Sequence, residues 1–162
     1  MTFTDIVRGV GIEDIKAIKS PDGVEHYFVL TETGHVIYVR PDRRLVRNLF
    51  GYLSDNSLFQ FCYSHTKNAA YFFIGTGASQ NLGSQLSLVQ VELDTLNIKT
   101  FDAGKFVENY MNGFITPSKG VNVPHYVLPS TDGNIWFAPI RINAVPNIVK
   151  FDTTTEEFST EA

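Results

Sequence analysis

The sequence predicts an all-β protein assembled from repeated antiparallel strands, and three observations carry that prediction. Aromatic residues make up 13% of the chain and charged residues only 19%, with 13 Phe and 7 Tyr against 2 Met, a balance that favours sheets over helical bundles. Apolar and polar residues alternate in short runs punctuated by Asp-Gly, Gly and Pro turn signals. A strand-turn-strand-turn-strand unit then recurs along the chain, most clearly at Pro124 to Phe158.

The elements follow in chain order. Ile6 to Ile12 can supply a strand, and Ile12 to Lys19 either a strand or one helical turn. The Asp22-Gly23 turn introduces the span 24 to 40, expected as strand, with Gly34 opening its second run. In the middle of the chain, Phe59 to Tyr63 alternates, 69 to 75 and 86 to 93 read as strands, and the polar, glycine-rich stretch Gly75 to Gln85 reads as a hairpin loop between them. That stretch lacks the Gly-Lys-Ser or Gly-Lys-Thr ending of a phosphate loop, and a strand rather than a helix follows it. In the last third, 124 to 128, 134 to 138 and 147 to 151 read as strands around the Asp132-Gly133 turn.

Aligning Tyr27-Phe28, Tyr71-Phe72 and Trp136-Phe137 gives separations of 44 and 65 residues. The first suits a four-stranded propeller blade, about 40 to 50 residues. The excess in the second falls in Lys105 to Val123, expected to be a long connection or lid. Asp42 to Phe50, Asp94 to Phe101 and Asp152 to Phe158 are spaced by 8, 7 and 6 residues: an acidic turn residue, then an outer strand ending in a Phe that anchors it to its neighbour. The expectation is one domain over 1-162 with approximate repeats 12-54, 55-104 and 105-162, forming about three four-stranded antiparallel β-propeller-like blades. Propellers need four to eight blades, so three form part of a ring or half of an oligomeric one; a β-sandwich is the alternative.

The third repeat resembles a blade of the streptogramin lyase (virginiamycin B lyase) type, on Asp132, Gly133, Asn134, Ile135, Trp136 and Phe137 followed by Asn147, Ile148, Val149 and Lys150. The first repeat matches only through Asp22, Gly23 and Tyr27-Phe28, and the middle repeat lacks the Asp-Gly turn. The resemblance implies a propeller in which His and acidic residues near the central channel open a lactone by elimination, with a magnesium ion nearby. His125 is the residue here that fits that role, and Mg is expected only under that reading. The other histidines, His26, His35 and His65, show no metal-ligand spacing.

The net charge of -4 speaks against a nucleic-acid surface. One basic cluster stands out, Arg40, Arg43, Arg44 and Arg47, which reads as a solvated turn with Asp42 offsetting part of its charge, or as a grip on an acidic partner. With Trp136 and Arg141 these arginines are the expected binding residues. No apolar run reaches the roughly 20 residues of a membrane span and the first residues lack a signal peptide's pattern, so a cytoplasmic location without membrane contact is expected. Cys62 lies in an alternating strand and reads as a buried thiol rather than a reactive one. The functional expectation is a noncatalytic module acting through a protein partner or self-association. The alternative is a lyase or lactonase propeller.

Overall fold

In a computed structural model of the chain, the described residues are 11–51, 60–75, 86–102, 126–129, 132–138 and 148–161. They form three four-stranded antiparallel sheets, each a meander in chain order. The first holds β1 (Ile12–Lys19), β2 (Glu25–Thr31), β3 (His35–Arg40) and β4 (Leu45–Gly51). The second holds β5 (Gln60–Ser64), β6 (Ala69–Gly75), β7 (Leu86–Glu92) and β8 (Ile98–Asp102). The third holds β9 (Tyr126–Pro129), β10 (Ile135–Ala138), β11 (Ile148–Asp152) and β12 (Glu157–Glu161). The chain is therefore all-β, with no α-helix among the described residues, and none of the sheets closes on itself. Such meanders are compatible with propeller blades and with a sandwich. Two compact units emerge, Met1–Ser54 with the first sheet and Asp55–Ala162 with the other two.

Turn chemistry explains where each strand stops. Gly23 and Gly133 sit at φ +86 and +90, left-handed values that a side chain resists. Asp22 Oδ1 accepts the Val24 amide and Asp132 Oδ1 the Asn134 amide, at 3.2 and 3.0 Å. The middle sheet lacks Asp-Gly, and Asn68 at φ 48 takes the left-handed position instead, which Asn tolerates better than most residues. The span 24 to 40 is not continuous strand: Gly34, at φ +86, donates its amide to the Thr31 carbonyl and divides it into β2 and β3.

The last turn of each sheet repeats most faithfully. The last cross-strand partners are Arg40 with Leu45 and Asp152 with Glu157, and in the middle sheet the Glu92 amide bonds the Asn97 carbonyl just past the last pair, Val91 with Ile98. The residue before each of the returning partners Leu45, Asn97 and Glu157 is left-handed: Arg44, Leu96 and Glu156, at φ 50, 59 and 60. This register corrects two sequence alignments. Asp152 matches Arg40 and Glu92 rather than Asp42 and Asp94, and Phe158 lies near the start of β12 rather than at its end. Likewise the cross-strand pairs Phe28 with Tyr38, Tyr71 with Gln90 and Trp136 with Lys150 occupy one repeated position. Phe28, not Tyr27, is thus the counterpart of Tyr71 and Trp136. Aromatic pairs alone left that one-residue slip open, and backbone pairing closes it.

In the first unit, Val29, Ile37 and Val39 form a buried cluster with Tyr27 and Val46 partly buried against it. His26, Phe28 and Tyr38 lie on the opposite face of the same strands, all buried. In the second unit the second and third sheets pack face to face around Phe151. Its ring lies 4.7 Å from Phe101, 4.9 Å from Phe158 and 6.3 Å from Tyr71. The outer-strand Phe101 therefore anchors β8 to the next sheet.

Candidate functional site

Two clusters and one sheet face hold the chemistry-bearing residues. The first cluster lies at the turn end of the first sheet. Ser20 Oγ donates to Asp22 Oδ1 and lies 3.2 Å from His26 Nε2, and His26 Nδ1 lies 2.6 Å from the Tyr38 hydroxyl. Ser20, His26 and Tyr38 are all buried. A serine has one hydroxyl hydrogen, and the Asp22 carboxylate and, at 3.2 Å, the Val24 carbonyl both lie within its reach. With that hydrogen on either oxygen, a neutral His26 donates from Nε2 to Ser20 and accepts at Nδ1 from Tyr38. Every donor in that arrangement points toward the β1–β2 turn. A nucleophilic serine requires the reverse, a histidine free to take its proton, so the network fastens β3 to the β1–β2 turn instead of activating Ser20. Burial raises the Tyr38 phenol above its ordinary range, opposed by the neighbouring Arg40 guanidinium.

The second cluster is the arginine hairpin. Arg40 forks onto its own turn, Nε to Asp42 Oδ1 at 2.9 Å and Nη2 to Asp42 Oδ2 at 3.2 Å. That contact holds the Asp42 carboxyl below its usual range. Arg40 is thereby committed to the hairpin. Arg43, Arg44 and Arg47 are exposed and form no ion pair with another described residue. Arg47 pairs across from Tyr38 and so shares its face.

The sheet face lies in the third sheet, and its geometry is set by the packing on the other side. Ile135 and Phe151, paired across β10 and β11, are fully buried toward the second sheet. Gly133 seals the edge of that contact: Ser64 Oγ donates to its carbonyl at 3.3 Å and Thr153 Oγ1 at 3.1 Å. A Cβ at Gly133 would lie 2.9 Å from the Thr66 side chain. Lys99 of β8 reaches Glu156 at 2.8 Å across the same junction. Trp136, one residue along from Ile135, must face the other way. There Lys150 Nζ stands 5.7 Å from the centre of its ring, and both residues are half-buried. In the first two sheets the matching residues, Phe28 with Tyr38 and Tyr71 with Gln90, are buried. The same position is covered in two sheets and half-open in the third.

Of the expected binding residues, the four arginines share one hairpin of the first unit and Trp136 belongs to the second. His125 and Arg141 lie outside the described residues, as do the expected lid within 105 to 123 and most of the glycine-rich loop. The sequence did not single out Lys150 as Trp136's partner, since the pairing depends on the β10–β11 register. Cys62 is buried, and burial pushes its thiol up to about 12. Among the described residues no three His, Cys, Asp or Glu gather where they could hold a metal ion. No helix among them is long and apolar enough to cross a membrane.

No protein-family model and no curated protein matches the chain. Solved structures do. One is the crystal structure of an auxiliary nutrient binding protein from Bacteroides thetaiotaomicron, 13% identical with a TM-score of 0.51. The match covers 89% of this chain and 29% of that one. Likeness at that identity is a likeness of fold, and this chain spans under a third of the neighbour's length.

Proposed function

We propose that this chain is a noncatalytic binding and assembly module, with its three sheets as successive propeller-like blades and the Trp136 face of the third sheet as its contact surface. The observation that carries the proposal is the repeated cross-strand pair, buried in the first two sheets and half-open in the third. A sheet face that elsewhere in the chain is covered suits a protein partner, and an aromatic ring beside a cation is a common anchor at such surfaces. The orientation of the Ser20–His26–Tyr38 chain supports a role without chemistry at that cluster. The nutrient-binding neighbour lends the reading support of a general kind, since there a protein of similar fold serves binding.

Trp136→Asp tests it. As a contact residue, Trp136 should accept the change with a stability loss of about 1 to 2 kcal/mol in the dilute chain, while association is abolished. A loss of about 3 kcal/mol or more at every concentration would make Trp136 part of the folded core and end the proposal.

A further inference from the structure

The junction between the second and third sheets is a template for what covers the Trp136 face. There the preceding sheet offers the row Tyr71, Gln90 and Lys99, the following sheet offers Ile135, Phe151 and Phe158, and Lys99 pairs with Glu156 at the rim. The repeated register identifies the counterparts of each row. In the third sheet the preceding row becomes Trp136, Lys150 and Ser159. In the first sheet the following row becomes Tyr27, Val39 and Val46. Val39 is buried there with Val29 and Ile37, Tyr27 and Val46 are half-buried around them, and Ile15, which pairs with Val29 on the same face, is 46% exposed.

Charge at the rim matches as well. On the Trp136 face, Asp152 and Glu157 pair across β11 and β12. Both belong to a last turn that also holds the exposed Glu156. The last turn of the first sheet carries the exposed Arg43 and Arg44 instead. Sheets of one chain thus present opposite charges at equivalent turns.

From this complementarity we infer that the Trp136 face binds the first sheet of a second copy of the chain, with Arg43 and Arg44 of that copy against Asp152 and Glu157. The inference rests on the reading of the sheets as successive blades. Used reciprocally by two copies, the junction gives a dimer with a twofold axis.

Sedimentation equilibrium with charge reversal decides it. Arg44→Glu is conformationally matched, because Glu156 already occupies the equivalent left-handed position. The wild-type chain should dimerise at micromolar concentration, Arg44→Glu and Glu157→Arg should each weaken dimerisation about tenfold, and the double variant should return to within about threefold of wild type. A dimer indifferent to both reversals overturns the pairing; if Trp136→Asp still disperses that dimer, the contact face itself stands. A chain that stays at 18.2 kDa up to hundreds of micromolar overturns the second copy as occupant and leaves the face to a different protein.

Discussion

Replacing Phe151 by Ala should remove the centre of the packing between the second and third sheets. Its ring is fully buried and lies within 6.3 Å of three other aromatic rings, Tyr71, Phe101 and Phe158. A buried Phe→Ala change typically costs about 3 to 5 kcal/mol. Three ring contacts place Phe151 toward the upper end, about 4 kcal/mol, because aromatic pairs add stabilisation beyond their buried area. Trp136, which is partly exposed, should lose less on truncation to Ala. Urea unfolding followed by the fluorescence of Trp136, the chain's single tryptophan, reads the second unit directly; Trp136→Ala is followed by circular dichroism instead. Measurements belong at concentrations low enough to keep association out of the comparison. A loss below about 1 kcal/mol for Phe151→Ala would mean that the two sheets do not pack through this ring, and equal losses at the two positions would deny the asymmetry between the faces.

The glycines offer a paired comparison. Gly133→Ala should cost about 2 to 3 kcal/mol, since it combines a left-handed backbone with a collision at Thr66, while Gly23→Ala, with open space around it, should cost about 1; equal losses in thermal unfolding would remove Gly133 from the junction. Tyr38→Phe should destabilise by about 1 to 3 kcal/mol by removing the buried hydrogen bond between its hydroxyl and His26 Nδ1, and an unchanged unfolding midpoint would refute a stabilising role for that bond. Cys62 should resist a disulfide reagent at pH 8 until the chain unfolds. Because burial raises its folded value to about 12, the stability it contributes is complete below about pH 8 and falls as pH rises from there toward 12. Rapid labelling of the native chain would show the strand to be open. At the acid end, the Thr155 and Thr154 amides hold the Asp152 carboxyl below its ordinary range, so its contribution is complete above that range and is lost progressively as pH falls from about 4 through the lower folded value; Asp152→Asn should flatten that acid limb of a stability profile, and an identical limb would refute the assignment.

Much of the fold was legible in the sequence, because the features that specify it are local. Asp-Gly turns, alternation and aromatic enrichment act within a few residues of themselves, and they marked three four-stranded units with their turns in nearly the right places. Cys62's burial and Asp42's offset of its neighbouring arginine were legible for the same reason. Register was not. Whether Tyr27 or Phe28 matches Tyr71, and whether Asp152 matches Asp42 or Arg40, depends on which backbone amides pair across strands, and a one-residue slip turns a side chain to the opposite face without altering composition or alternation. The candidate site followed register. Trp136 was visible as an aromatic residue, but its meeting with Lys150, its orientation away from Ile135 and its half-open position were decided by the packing of the third sheet on the second. Sequence alone determined that the chain makes repeated antiparallel sheets; tertiary structure decided which face of each is covered, because facing is a property of pairing between distant strands and not of any residue's own preference.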